Sequence, residues 1–243
     1  SYELDLVHEA RNIETFRRRL EDEPGTYFPE VYWDVTRSRV LGLEEIKGIQ
    51  LSHWKEAGLS QEERTKIVEI GSESILRQVL DIGFFHADPH PGNMFWLPDG
   101  RLCFIDCGMA GRVDEETVNE LANLLYGVSC NDIDKVYEAF ISLGNVQEDT
   151  ISPRAVRRDL QDFLDQFTGV SFEKIQMSAV LQAFSDGLRK HHIQCPGDII
   201  LMIKALSTIE GVGEDLDPKF DLIGYARPHL EALVKRQYSR KAI

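Results

Sequence analysis

Phe85-His86-Ala87-Asp88-Pro89-His90-Pro91-Gly92-Asn93 puts two prolines and a glycine into nine residues, which no helix interior or central strand tolerates. The stretch reads as an ordered loop carrying a carboxylate, two imidazoles and a carboxamide. Upstream, Ser60-Gln61-Glu62-Glu63 has the form of a capping box, and Ile67, Ile70, Ile75, Val79 and Ile82 continue one apolar face up to Gly83. A long, largely buried helix therefore delivers the chain to the loop. Downstream, Met94 to Leu97 and Arg101 to Ile105 flank Pro98-Asp99-Gly100, a strong hairpin signal, and the hairpin ends on Asp106-Cys107-Gly108.

Farther out, Leu6, Ala10, Ile13, Phe16 and Leu20 recur at helical spacing and predict a first helix over 2–20. Two β-type runs, 30–35 and 39–46, predict a strand pair leading to a connector at Lys47-Gly48. Beyond Asp114, which suits a helix N-cap, the spacing predicts helices over 115–129, 132–143, 153–167, 176–191, 196–210 and 227–240. The expected class is α+β, mostly α, with a short β-hairpin at the site.

The balance of 41 acidic against 27 basic residues, net −14, argues against nucleic acid as a partner, because phosphate neutralisation needs cations. Four cysteines without a C-x-x-C pair exclude a disulfide framework and a zinc ribbon. The apolar run Ile199 to Ile203, ended by Lys204, is far short of the roughly 18 residues of a membrane span. The last seventeen residues reverse the charge, with Arg227, Lys235, Arg236, Arg240 and Lys241 against Glu231. These basic residues either complement a helix dipole or meet an anionic membrane surface. The start Ser-Tyr-Glu-Leu-Asp, without Met or leader, reads as a piece of a longer protein.

His86-x-Asp88-x-x-x-x-Asn93, followed by Asp106-x-Gly108, has the order of a kinase catalytic loop and its metal-binding aspartate. Phosphoryl transfer from ATP needs a carboxylate to orient or deprotonate the acceptor, and oxygen ligands for Mg2+ on the phosphates. Asp88 suits the first task; Asn93 and Asp106 suit the second. Turn-capping roles for all three are the alternative. His86 more simply fixes the loop by hydrogen bonding, and His90 faces either the γ-phosphate or solvent. His86, Asp88 and His90 also form an H-x-D-x-H pattern open to zinc. Glu9, with Glu3 as competitor, is placed to pair with a phosphate-binding lysine, or complements the first helix's dipole.

Four segments resemble the UbiB/AarF family of atypical protein-kinase-like ATPases: Tyr2 to Asn12, Gly83 to Asn93, Phe104 to Gly108, and Ala205 to Gly211 with Leu216-Asp217-Pro218. The resemblance places the family's E-x-D motif on Glu3 and Asp5, its catalytic-loop aspartate on Asp88, and its metal ligands on Asn93 and Asp106. It implies a protein-kinase-like large lobe, use of ATP or ADP with Mg2+, and a role in isoprenoid quinone (ubiquinone) biosynthesis or related lipid metabolism. It further implies a lipid or quinone-pathway small molecule as partner, together with biosynthetic enzymes of a membrane-bound complex. The location implied is the cytoplasmic face of a bacterial membrane, or a mitochondrial or plastid interior.

On this reading residues 1–46 are residual small-lobe elements and 47–243 the large lobe, with adenine held by the hinge Leu43, Glu44, Glu45 and Ile46. The family's K-x-G-Q motif and strand lysine are expected upstream of Ser1, so weak or absent nucleotide turnover is expected of this segment alone. Cys107 stands where D-F-G carries Phe. A helix start at Asp114, eight residues after Asp106, leaves little room for a peptide-docking segment and points to a small-molecule or lipid acceptor. The alternatives are a phosphotransferase of aminoglycoside or choline-kinase type and a non-catalytic pseudokinase scaffold.

Overall fold

The computed structural model describes residues 5–147, 151–170 and 174–241. Glu3 and the side chains of Arg236, Arg240 and Lys241 lie outside the described residues. Helix α1 (Leu6–Arg19) starts at Asp5, whose carboxylate accepts from the Val7 amide at 3.1 Å. Its buried face, Ala10, Ile13 and Phe16, is the periodic one. Phe16 stacks on Phe28 at 5.0 Å and lies 4.6 Å from Phe84; Phe28 lies 5.6 Å from Phe104. These rings form the core directly beneath the catalytic-type loop.

Two small sheets frame that core. Strands β1 (Thr26–Tyr27), β2 (Ile49–Gln50), β4 (Met94–Trp96) and β5 (Leu102–Phe104) lie in the order β1-β5-β4-β2, with β1 parallel to β5 and the remaining pairs antiparallel. The expected hairpin is β4–β5, with Met94 opposite Phe104. Strand β3 (Phe84–His86) pairs with β6 (Ala110–Arg112). The loop therefore begins after His86, later than its composition suggested, because β3 is held by pairing and burial.

The expected strand pair at 30–35 and 39–46 is reduced to two isolated pairings, Val31 with Leu43 and Arg37 with Val40. Its ladder is diverted: the Val35 and Thr36 amides and the Thr36 hydroxyl all bond the Tyr32 carbonyl, and Thr36 Oγ1 accepts from the Gly42 amide. Tyr32, Trp33, Val35 and Val40 stay exposed, so no buried face enforces a register.

Helix α2 (Gln61–Arg77) has the capping box, Ser60 and Glu63 bonding each other's amides. It passes into a π turn, Gln78–Ile82, closed by Gly83 at φ 66°. A Cβ on Gly83 would lie 2.3 Å from the Val113 carbonyl oxygen, so only glycine fits. Helices α3 (Glu115–Cys130), α4 (Ile133–Leu143), α5 (Pro153–Asp165), α6 (Met177–Lys190), α7 (Gly197–Leu216) and α8 (Leu222–Lys241) complete the lobe. Asp114 caps α3 as expected. Helix α7 runs six residues beyond its expected end, through Gly211 and Gly213, because the close contact of Gly213 with Phe220 favours a bare backbone there. Helix α8 starts at Leu222, ahead of the expected 227, with Asp221 accepting from the Gly224 amide, and carries Pro228 inside. No helix of the described residues is long and apolar enough to cross a membrane.

Two buried or half-buried ionisable groups tie these helices together. Glu210 of α7, 4% exposed, accepts from the Met177 and Ser178 amides at 2.8 and 2.7 Å and so caps α6. Removing that carboxylate in Glu210→Ala strands both amides; chemical denaturation will show a loss of about 2–3 kcal/mol, with Glu210→Gln losing roughly half as much. His229 of α8 lies between Asp81 at 2.8 Å and Glu73 at 3.2 Å, and the Asp81 hydrogen bond foremost holds its pKa above the usual value. Its contribution is full below the unfolded-state pKa of about 6.5 and lost as pH rises through the raised folded value. Urea midpoints of wild type and His229→Gln will accordingly converge on the alkaline side.

Candidate functional site

Residues that surround the loop hold it in place. Gln78, fully buried in the π turn, donates to Ser74 Oγ and accepts from the His86 amide at 2.8 Å. His86, also fully buried, accepts the Asp88 amide at Nδ1 (3.0 Å) and donates from Nε2 to the Ile105 carbonyl (3.0 Å). Both partners require the neutral imidazole with its proton on Nε2, and burial lowers the His86 pKa in the same sense. Asn93 donates from Nδ2 to the Asp88 carbonyl at 3.3 Å, and the Ile105 amide donates to the Asn93 carbonyl at 2.9 Å. Gln50 of β2 donates to the Gly92 carbonyl at 2.6 Å. Asp88, Asn93 and Ile105, the residue before Asp106, are thus linked through a continuous set of hydrogen bonds.

Asp106 has a left-handed backbone, φ 54°, a conformation costly for a side chain other than Asn or Asp. A Cβ on Gly108 would lie 3.5 Å from Asp106 Oδ1 and 3.7 Å from Glu9 Oε2, so both carboxylates reach the same point of the backbone. Burial first, and the Asp106 charge second, raise the Glu9 pKa. Asn12, buried on the same helix, donates to the Cys107 carbonyl at 2.8 Å. Cys107 and Cys103 are fully buried, as expected of small core residues, and burial pushes both thiols up, Cys103 to about 12.

The arrangement suits a divalent cation at Asn93 and Asp106. Asn93 spends its amide proton on the loop, which leaves its oxygen as an acceptor, and a cation relieves the repulsion between Glu9 and Asp106. Zinc at His86, Asp88 and His90 does not fit: both nitrogens of His86 are engaged, and His90 Nδ1 accepts from the Gly92 amide at 3.1 Å. No cluster of three or more His, Cys, Asp or Glu suited to a metal forms among the described residues.

The remaining expected residues lie as follows. Asp5 is the cap of α1. Glu44, in the segment expected to be the hinge, accepts from the Tyr27 hydroxyl at 2.6 Å and the Glu30 amide at 3.1 Å, and its own amide bonds the Glu30 carbonyl. Leu43 pairs with Val31, and Glu45 faces Lys47. Ile46 lies in the extended link to β2, which pairs with β4. One residue of the site escaped the sequence reading: Lys204 of α7 places Nζ 3.2 Å from Asp88 Oδ2. Its signal was slight, a lone lysine closing an apolar helical run.

These features define a protein-kinase-like large lobe, α+β and mostly α. Residues 1–140 match the ABC1 atypical kinase-like domain and residues 160–221 the UbiB helical domain. The chain belongs to the ABC1/UbiB family of atypical kinase-like proteins. It is 32% identical to Probable protein kinase UbiB of Pseudomonas putida, over 99% of this chain and 45% of that protein. It is 33% identical to Protein ACTIVITY OF BC1 COMPLEX KINASE 7, chloroplastic, of Arabidopsis thaliana, over 96% of this chain and 33% of that one. The chain thus spans less than half the length of these curated relatives. The solved Rv3197–erythromycin complex from Mycobacterium tuberculosis shares the fold, with a TM-score of 0.59 and 21% identity, over 89% of this chain and 55% of that one.

The His86 bonds yield a direct test. His86→Phe keeps a ring among Phe16 and Phe104 but leaves the Asp88 amide and the Ile105 carbonyl without their partner. Urea denaturation will register a loss of about 2–4 kcal/mol.

Proposed function

We propose that this chain carries the catalytic-loop side of an atypical kinase-like ATPase that binds magnesium-ATP and supports isoprenoid quinone biosynthesis or related lipid metabolism at a membrane. The observation that carries the reading is the His86 clamp, which joins the Asp88 amide to the carbonyl preceding Asp106. Asp88 orients the attacking hydroxyl, of water or of an acceptor, and takes its proton as the new oxygen–phosphorus bond forms and the bond from the γ-phosphorus to the β,γ-bridging oxygen breaks, releasing ADP. Asn93 and Asp106 would hold Mg2+, which supplies charge neutralisation on the phosphates when bound. Glu9, raised in pKa beside Asp106, calls for a positive partner, a role suited to a strand lysine of the parent protein.

A small-molecule or lipid acceptor fits better than a peptide. Strand β6 and the Asp114 cap follow Asp106 at once, leaving no extended segment on which a peptide would lie. The chloroplastic relative and the bacterial UbiB protein support an organellar or bacterial setting. Phosphate appearing on an acceptor would favour a phosphotransferase over an ATPase, and binding without turnover would favour a scaffold.

Thermal denaturation of the full-length parent decides the metal assignment. At magnesium-ATP about 100-fold above its Kd the wild type gains about 2.7 kcal/mol, and Asp106→Asn loses that gain. An undiminished shift in the variant rejects Asp106 as the metal ligand.

A further inference from the structure

Protein-kinase catalytic loops carry a lysine two residues beyond the aspartate, where it meets the transferred phosphate. Here that position is His90, whose Nδ1 is spent as an acceptor on the Gly92 amide. The carboxylates Asp88, Asp106 and Glu9 face a nucleotide that is itself an anion, so a cation near Asp88 is what phosphate binding requires. Lys204 supplies it from a different part of the fold, with Nζ 3.2 Å from Asp88 Oδ2.

We propose that Lys204 is a phosphate-binding residue of the ATP site, taking the terminal phosphate in place of a catalytic-loop lysine. The inference rests on the ATPase reading above. Lys204 keeps 42% of its side chain exposed and Asp88 33%, so their ion pair is partly screened, and exchanging the carboxylate for a phosphate oxygen costs little. The helix is rigidly seated: Asp198 of α7 accepts from the Arg112 amide of β6, and Arg64 of α2 donates to the Leu216 carbonyl at the far end. The opposite flank of Lys204 lines a groove of about 700 Å³ between α6 and α7, with Arg189, Ser207 and Thr208. Lys204 therefore both pairs with Asp88 and lines that groove. With Lys204 on the phosphate, Asp88 is released to receive the proton.

The test measures affinities of the full-length parent for ATP and AMP, with Mg2+, in wild type, Lys204→Gln and Lys204→Arg. The expected result is a roughly tenfold loss of ATP affinity in Lys204→Gln, unchanged AMP affinity, and recovery of most of the loss in Lys204→Arg. In an Asp88→Asn background, where Lys204 has no carboxylate to hold it, ATP affinity stays equal or rises and Lys204→Gln again lowers it. An unchanged ATP-to-AMP affinity ratio in Lys204→Gln, with wild type binding ATP, overturns this inference alone. Failure of the wild type to bind ATP overturns the functional reading and this inference with it.

Discussion

The site depends on one buried imidazole. His86 is sealed between the rings of Phe16 and Phe104, and its two nitrogens and its backbone amide each have one assigned partner. Protonation would turn Nδ1 from acceptor to donor against the Asp88 amide, so the apolar packing that lowers the His86 pKa also preserves the loop. The same ring spans from β3 to the exit of β5, which sets the spacing between Asp88 and Asp106. The π turn has a matching purpose. By bulging the end of α2 it sets Gln78 where the His86 amide needs an acceptor, and Gly83 turns the chain at once into β3.

Electrostatics divides the labour between the two matched regions of the chain. The ABC1 region supplies Glu9, Asp88, Asn93 and Asp106, a set with a strong negative bias. The UbiB helical region supplies the cation, through Lys204, and holds α7 in place by capping α6 with Glu210. Asp215, near the end of α7, accepts from the Trp54 indole at 2.8 Å and pairs with Lys55, which anchors the helix to the segment after β2. Helix α7 therefore stands beside Asp88 through Lys204 and is tied to the rest of the lobe near both ends.

What the sequence made legible was local. The catalytic-type loop announces itself because proline, glycine and fixed spacing restrict the backbone over a few residues, and the Ser60 and Asp114 caps depend on neighbours three residues away. The β4–β5 hairpin is legible for the same reason. Strands of two or three residues were not, since Thr26–Tyr27 and Ala110–Arg112 are strands only by virtue of partners far along the chain. The pair at 30–46 misled because β-type composition there is spent on a Thr36-centred turn. Lys204 was invisible for a related reason: a lysine on an amphipathic helix looks like any solvated side chain until the fold brings Asp88 beside it.

The cysteine of Asp106-Cys107-Gly108 explains how Asp106 is held. In protein kinases the aromatic ring of this motif packs in one of two positions and carries the aspartate with it. Here the residue is small, wholly buried, and engaged through its backbone carbonyl by Asn12 of α1. Asn12 and Glu9 lie one turn apart on one helix face, so the helix that delivers Glu9 to Asp106 also grips the peptide that follows it. The left-handed φ of Asp106 adds a further constraint, at the turn between the Ile105 bonds on one side and the Asn12 bond to Cys107 on the other. Positioning of Asp106 thus rests on a helix and not on an aromatic ring. A shift of α1 would disturb the Asn12–Cys107 bond and the approach of Glu9 to Asp106 together.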